Sequence, residues 1–236
     1  MHSLCWLKAS LLDAGMILLD RNNGELEVVS QHLIPNRLET VYNIEVEGFH
    51  TYHVGRLGTW VHNANCCDVR NEINGNAGTK NNWDKNLNQA NLPSNSVIKV
   101  NNGTNIHSYY TDSLGRVNKV EGQLSLDKMA RNGYQQGKVG KSVNATGDDG
   151  GHLIASVLGG AGDRVNMVPQ ASTLNRGDWK AMENSLRSEL EAGKTVSIKI
   201  DVGYANGNSS RPSRFLVTAT ITSKGKSETR SFPFSQ

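Results

Sequence analysis

The chain has 236 residues, 36% of them hydrophobic, so it is long enough for one large or two small domains with a core. The apolar stretch SLLDAGMILLD is too short to span a bilayer and lacks the pattern of a signal peptide, and the three cysteines (Cys5, Cys66 and Cys67) fit neither a disulfide framework nor a zinc finger. Residues 1–95 hold 7 Lys and Arg against 10 Asp and Glu (net −3), and residues 96–236 hold 18 against 12 (net +6), so the second part suits a polyanionic partner.

The first 95 residues contain short strand patterns followed by an irregular stretch. VYNIEV (41–46) and HTYHV (50–54) are rich in β-branched and aromatic residues and are separated by EGF, which predicts a hairpin. TWVH (59–62) predicts one more strand. Residues 64–95 are crowded with Asn and have no apolar period, which favours a linker or irregular segment. We therefore expect a small all-β module over residues 1–63.

Strand patterns return at residue 96. The segments SVIKV, NIHSYYTD and RVNKVEGQLSL predict antiparallel strands that turn at DSLGR. Two alternating segments, TVSIKIDV (195–202) and RFLVTATIT (214–222), predict strands that close the chain. Between these two groups of strands lies the clearest helical pattern of the sequence.

That helix is predicted over GDWKAMENSLRSELEA (177–192). Its apolar stripe is formed by Trp179, Met182, Leu186 and Leu190. Asp178 suits the positive start of the helix, and Gly193 is a natural stop. Strands, one main helix and further strands predict an α+β domain over residues 96–236.

The stretch TGDDGGHLIA (146–155) places His152 directly behind two glycines and ahead of an apolar run. A neutral imidazole with a pKa near 6.5 can take a proton from water at physiological pH. Gly150 and Gly151 remove side-chain bulk, so that a sugar–phosphate backbone can approach. The alternative is an ordinary turn followed by a partly buried histidine, and these residues alone leave both readings open.

A second group of polar residues surrounds the start of the predicted helix. In LNRGDWKAME, Asn175 and Glu183 are eight positions apart and lie within about a quadrant of each other around a helix axis. An amide oxygen and a carboxylate are ligands that Mg²⁺ accepts, and a metal there would stabilise charge on a scissile phosphate. Taken singly, the Asn is an ordinary helix cap and the Glu a solvated side chain. Their occurrence together with His152 favours phosphodiester chemistry.

Together, DDGGHLIA, NMVPQ and LNRGDWKAME resemble the motifs of the DNA/RNA non-specific endonuclease family, which has the ββα-metal (His-Me finger) fold. The resemblance covers roughly residues 96–236 and implies an α+β domain with an antiparallel sheet and one main helix. It implies that His152 is the general base and that Asn175 is the magnesium ligand. It further implies that Glu183 holds metal-bound water and that Asn166 is another polar active-site residue.

The chain departs from the family pattern at one position. Gly150 stands where the best-known form of the first motif has an arginine. The candidates to contact phosphate in its place are Arg176, beside Asn175, and Arg211 in SSRPSR.

A second resemblance lies at the front of the chain, where VYNIEVEGFHTYHVGRLGTWVHN is similar to the end of a pretoxin Hint (intein-like) domain. It implies self-cleavage in which His62 polarises the peptide bond, Asn63 attacks its own carbonyl, and His50 assists. The resemblance covers only about residues 6–63, and the opening nucleophile segment of that family is missing. A Hint module truncated at its front, without full splicing chemistry, is therefore the expectation.

A Hint fragment, an Asn-rich linker (64–95) and a nuclease in this order resemble the carboxyl ends of bacterial polymorphic and contact-dependent toxins. This implies an endonuclease that uses Mg²⁺, with Mn²⁺ as a substitute, to cut DNA or RNA with little sequence specificity. It also implies a cognate immunity protein, and secretion or delivery within a larger toxin into the cytoplasm of a target bacterium. Two alternatives remain: a non-catalytic nucleic-acid-binding module, and a Hint autoprocessing protein with inactive cargo.

Overall fold

The computed structural model describes most of the second part of the chain and short pieces of the first. The described residues are 14–20, 22, 24–30, 51–54, 59–62, 71–143, 147–205 and 209–236. The chain divides into two units, residues 1–69 and residues 70–236. In the described part, no helix is long and apolar enough to cross a membrane.

In the first unit, the described residues form two antiparallel hairpins. Strand β1 (Ile17–Leu19) pairs with β2 (Glu25–Glu27), and β3 (Thr51–Val54) pairs with β4 (Thr59–His62). The strand predicted over 59–62 is confirmed, and its partner is β3.

Several sequence predictions for the first unit lie outside the described residues. They are the strand over 41–46, the assisting His50, the cleavage residue Asn63 and the three cysteines. His62 is the last residue of β4.

The second unit is built on a seven-stranded sheet. Its strands are β5 (Asn71–Asn76), β6 (Ser96–Asn101), β7 (Ile106–Thr111), β8 (Val117–Gln123), β11 (Thr195–Tyr204), β12 (Pro212–Ser223) and β13 (Lys226–Ser235). They lie in the order β13-β12-β11-β8-β7-β6-β5. All neighbours are antiparallel except β5 and β6, which are parallel. The strands predicted from residue 96 onward are confirmed.

Among the described residues of this unit, three α-helices, three short 3₁₀ helices and a separate hairpin lie outside the large sheet. The α-helices are α1 (Gly133–Gly140), α2 (Ser172–Arg176) and α3 (Asp178–Glu191). The hairpin pairs β9 (Asp148–His152) with β10 (Met167–Ala171). The helix predicted over 177–192 is confirmed as α3, and Gly193 follows it with a φ of 76°, which a glycine adopts without strain.

The core lies between one face of the sheet and α3. Alternate residues of the strands are buried, as expected where one face of a sheet is covered. On β11 and β12 these residues are Val196, Ile198, Ile200, Val202, Phe215, Val217, Ala219 and Ile221. From α3, Trp179 is fully buried, and its ring lies 5.1 Å from that of Phe215 and 5.2 Å from that of Phe234. This contact fixes α3, and the residues before it, against the sheet.

Two regions differ from the sequence prediction. Two strands were expected to close the chain, but β13 follows as a third. The sequence pattern missed β13 because only Phe232 and Phe234 of this strand pack against the core, so its apolar alternation is weak. The prediction of a linker over 64–95 was wrong for Asn71–Asn76, which form the edge strand β5. Since β5 has one apolar side chain, Ile73, the apolar pattern of a strand is missing there.

Candidate active site

His152 is the last residue of β9 and pairs with Met167 of β10. Its side chain is buried, and the ring atom Nε2 has no hydrogen-bond partner among the described residues. Burial and, to a smaller extent, the positive charge of Arg131 lower the pKa of His152 to about 4. The imidazole is therefore neutral at physiological pH, with a ring nitrogen that the protein leaves without a partner.

The two glycines before His152 make room for the protein's own atoms. A Cβ at Gly150 would lie 2.3 Å from the backbone oxygen of Gln136 in α1, and a Cβ at Gly151 would lie 2.1 Å from Oε1 of Gln170. Because both distances are far below van der Waals contact, a larger residue at position 150 would displace the backbone of α1, and one at position 151 would displace the buried Gln170 side chain. The expectation that these glycines clear a path for a substrate is corrected accordingly, and the family arginine has no room at position 150.

Asn166 lies behind the histidine. It is fully buried, and its side chain accepts from the Ile154 amide (3.0 Å) and donates to the carbonyl oxygens of Ile154 (2.8 Å) and Ala161 (2.8 Å). All its polar groups are thus used to hold the backbone that follows His152, so Asn166 does not line the cleft with the other predicted residues.

Asn175 and Arg176 end α2 and share one partner on β9. Asn175 Nδ2 donates to Asp149 Oδ2 at 2.9 Å, while Arg176 donates from Nε to Oδ2 at 2.9 Å and from Nη2 to Oδ1 at 2.7 Å. Arg176 lowers the pKa of Asp149 through this hydrogen bond, so the carboxylate stays ionised. Because a carboxylate only accepts, the Asn175 amide is oriented with its nitrogen toward Asp149, and its oxygen is left for a ligand.

Glu183 lies on α3, two turns after Asn175. Burial raises the pKa of Glu183 to about 7. The nearby Trp179 indole and the positive charge of Arg131 act in the opposite direction, but their effect on the pKa is smaller than that of burial. The Trp179 N–H makes no hydrogen bond of normal geometry. A carboxyl group that is costly to ionise becomes easier to ionise when a cation is placed beside it.

These side chains line one cleft of about 760 Å³. Of the residues predicted from the sequence, the structure brings together His152, Asn175, Arg176 and Glu183. Arg211 is not among the residues that line the cleft, and it forms two hydrogen bonds (2.7 and 2.9 Å) to Asp148, a lining residue whose side chain is 3% exposed.

Sequence reasoning missed four exposed cations of this cleft. They are Arg131, Lys141, Lys180 and Arg187. Lys180 and Arg187 could have been predicted, because positions 180, 183 and 187 fall on one face of a helix and therefore lie beside Glu183. The negative charges of Asp148 and Asp149 are balanced by the arginines paired with them. The remaining cations therefore make the cleft positive, as binding of a phosphate backbone requires.

The donor set fits a hard divalent cation that keeps most of its water. No group of three or more His, Cys, Asp or Glu side chains suited to a metal is found in the described ranges. Mg²⁺ does not need such a group, because it binds through one or two protein oxygens, water and substrate phosphate. The oriented oxygen of Asn175 and the carboxyl of Glu183 are two oxygens of the cleft that could hold such an ion.

Comparison with known proteins agrees with this architecture. Residues 94–223 match the family of DNA/RNA non-specific endonucleases, and the match covers more than half of the chain. The chain belongs to this family. Residues 2–64 match the pretoxin HINT domain.

Two relatives carry names that refer to secretion and to DNA. The type VII secretion system protein EssD of Staphylococcus aureus (strain USA300) is 41% identical over 122 residues, which are 49% of this chain and 20% of EssD. The probable deoxyribonuclease RhsA of Dickeya dadantii (strain 3937) is 33% identical over 67 residues, 28% of this chain and 5% of RhsA. The chain thus matches a fifth or less of the length of these relatives.

Among solved structures, NucA from Streptococcus agalactiae is similar in two forms. The form with no metal bound has a TM-score of 0.43 at 18% identity and covers 56% of this chain and 72% of NucA. The form with magnesium ion bound has a TM-score of 0.44 at 17% identity and covers 56% of this chain and 74% of NucA.

Proposed function

We propose that the chain is a Mg²⁺-dependent endonuclease that hydrolyses phosphodiester bonds of DNA, and of RNA, with little sequence specificity. The observation that carries this proposal is that His152, which burial keeps neutral, lines the same cleft as Asn175 and Glu183. A histidine kept neutral by burial, without a protein partner for Nε2, is suited to accept a proton from a bound molecule.

In the proposed reaction, the His152 imidazole takes a proton from a water molecule. The water oxygen forms a bond to phosphorus, the bond to the leaving oxygen breaks, and the leaving oxygen takes a proton from solvent. A bound Mg²⁺ (or Mn²⁺) supplies stabilisation of the charge on the phosphate and the leaving oxygen. Asn175 and Glu183 would hold the ion, Asn175 through its amide oxygen, and Asn166 acts indirectly by fixing the backbone at Ile154.

Arg176 is the proposed phosphate contact in place of the family arginine. Its side chain is 73% exposed, lines the cleft, and is aimed by the Asp149 carboxylate. Arg211 is less suited, because releasing it would leave the buried Asp148 without its partner. Contacts of this kind read the backbone rather than the bases, which agrees with a non-specific enzyme.

The match to a pretoxin HINT domain and the relationship to a secretion-system protein support a toxin. We propose that residues 1–63 form a Hint-like module, in which His50, His62 and Asn63 would carry any self-cleavage, and that the nuclease follows it. The chain would be delivered as part of a larger toxin and would act in the cytoplasm of a target bacterium. A cognate immunity protein, acidic where it covers the cationic cleft, is the partner this proposal requires.

The test is nicking of supercoiled plasmid by the purified chain across a Mg²⁺ titration, with EDTA as the blank. Because Asn175 supplies the ligand oxygen, Asn175→Ala should raise the Mg²⁺ concentration for half-maximal nicking at least about tenfold. Asn184→Ala removes an amide from the same cleft without affecting the proposed ligand, and should leave that concentration unchanged.

Two results would contradict the proposal. Equal Mg²⁺ requirements for the wild type and Asn175→Ala would remove Asn175 as the ligand. Binding without cleavage of either DNA or RNA in Mg²⁺ would favour the non-catalytic nucleic-acid-binding module.

A further inference from the structure

The residues between β5 and β6, 77–95, form a strap around the second unit. They are the crossover that a parallel pair of strands requires. Leu87 of this strap is fully buried in the core. Most of the strap lies before residue 94, where the match to the endonuclease family begins.

The strap is attached to the rest of the unit through Asp163. This carboxylate is fully buried and accepts from the Gly78 amide at 2.7 Å and from Nδ2 of Asn88. Asn88 also accepts from the Arg164 amide at 3.0 Å. A Cβ at Gly78 would lie 2.9 Å from Asp163 Oδ1 and 2.4 Å from Trp83, so the strap approaches this closely only with glycine there.

The same turn continues to His152. The amide of Asn166 donates to the carbonyl oxygen of Asp163 at 3.0 Å, and the Leu153 amide donates to the carbonyl of Asn166 at 2.9 Å. The Asn166 side chain then binds both backbone groups of Ile154. An unbroken series of hydrogen bonds therefore runs from Asn88 to the two residues that follow His152.

We infer that Asn88 and Asp163 are positioning residues for His152, and that the catalytic unit begins at β5 rather than at residue 94. This inference rests on the proposed function for its kinetic consequences, but its structural part is independent of that function. A general base must be held within a fraction of an ångström of its working position, so loosening its backbone lowers the rate even when the fold persists.

The test exchanges the two groups in the full-length chain. Asn88→Asp places two carboxylates together where a donor is needed. The double variant Asn88→Asp with Asp163→Asn restores the pair with reversed roles, because the amide at position 163 donates to the carboxylate at position 88. In that variant the Gly78 and Arg164 amides keep acceptors, and the contact that is not restored is the hydrogen bond from Asn88 Nδ2 to the Asp84 carbonyl oxygen (2.7 Å). Asn86→Ala, an exposed amide in the same turn, is the matched control.

At a temperature well below the melting temperature of the variant, we expect Asn88→Asp to lower kcat for plasmid nicking at least about tenfold. Its KM should stay within twofold of the wild-type value. The double variant should recover most of this loss, and Asn86→Ala should match the wild type. Amide hydrogen exchange of residues 153–158 should be faster in Asn88→Asp and return toward the wild-type rate in the double variant.

Unchanged kcat and unchanged exchange in Asn88→Asp would overturn the inference. A loss that the double variant does not recover would also overturn it, since the pair would then not be the cause. If the wild type fails to cleave any nucleic acid, the proposed function fails, and the exchange rates alone decide whether the strap holds the His152 segment.

Discussion

Two buried histidines of the second unit have opposite surroundings. His107, on β7, is 1% exposed, and its Nε2 lies 2.9 Å from the carbonyl oxygen of Gln123. His152, on β9, is 8% exposed, and its Nε2 has no partner in the part of the chain that is described. Burial lowers the pKa of both rings. Burial alone therefore does not distinguish a structural histidine from a chemical one.

The difference lies in what surrounds each ring. His107 is packed against Gly122, where a Cβ would lie 2.3 Å from the histidine Cδ2, so the sheet closes over it. His152 lines a cleft that also contains Asn175, Glu183 and several cations. An unpaired buried nitrogen costs free energy, so its presence beside a basic cleft favours the proposed chemical role of His152 over a purely structural one.

The largest expected effect is on catalysis through His152. His152→Ala removes the proposed general base and should lower the rate of plasmid nicking by about 10³-fold. Since Nε2 has no partner to lose and the ring borders the cleft, the free energy of unfolding should fall by less than in the matching His107→Ala variant. Nicking in Mg²⁺ and chemical denaturation of the same preparations measure both quantities.

Equal nicking by the wild type and His152→Ala would mean that another group takes the proton. A large loss of stability would mean that His152 is a structural residue like His107, and the comparison between the two rings would fail.

The next effect is on stability through His107. His107→Ala removes a fully buried ring and leaves the Gln123 carbonyl unsatisfied, which should lower the free energy of unfolding by about 2–3 kcal/mol. The rate of nicking per folded molecule should stay within twofold of the wild type, because His107 does not line the cleft. Urea unfolding, with nicking measured well below the transition, separates the two.

A loss of activity in His107→Ala at full folding would contradict the division between a structural and a catalytic histidine. Such a loss would indicate that His107 is coupled to the cleft, for example through Gly159, which lies close to the His107 ring.

Most of the sheet and α3 could be predicted because their apolar residues follow a period. Trp179, Met182 and Leu186 recur on one helix face and are buried, as expected. The strap could not be predicted, since its attachment depends on one buried leucine, Leu87, and on side-chain hydrogen bonds to Asp163, about 80 residues away. Periodicity carries no information about such long-range polar contacts.

The sequence motifs predicted which residues line the cleft better than they predicted the contacts of those residues. His152, Asn175 and Glu183 line the same cleft, as the motif resemblance implies. The motifs did not reveal that Asn166 is saturated by backbone groups, or that Gly150 is required by the close approach of α1. Both facts depend on which atoms the fold brings to a motif, and a single sequence does not state that.

The smallest expected effect is on the pH dependence of stability. In the folded chain, burial lowers the pKa of His107, and the Gln123 carbonyl offsets this in part. In the unfolded chain the pKa is near 6.5, so the unfolded state binds the proton first as the pH falls. The stability that comes from neutral His107 is therefore fully present above pH 6.5 and is lost as the pH decreases toward the folded-state pKa.

One proton of this kind changes the free energy of unfolding by at most about 1.4 kcal/mol per pH unit. His107→Asn cannot take up that proton, so its free energy of unfolding should fall less steeply than that of the wild type between pH 6.5 and 5.5. His152→Asn should reduce the slope in the same direction, because the pKa of His152 is about 4 in the folded chain. Urea unfolding at half-unit intervals of pH measures these slopes. An unchanged slope in His107→Asn would mean that the pKa of this ring is the same in the folded and the unfolded chain, because the contact with the Gln123 carbonyl oxygen would then fully offset burial. Of the two rings compared, His152 alone would then be held neutral.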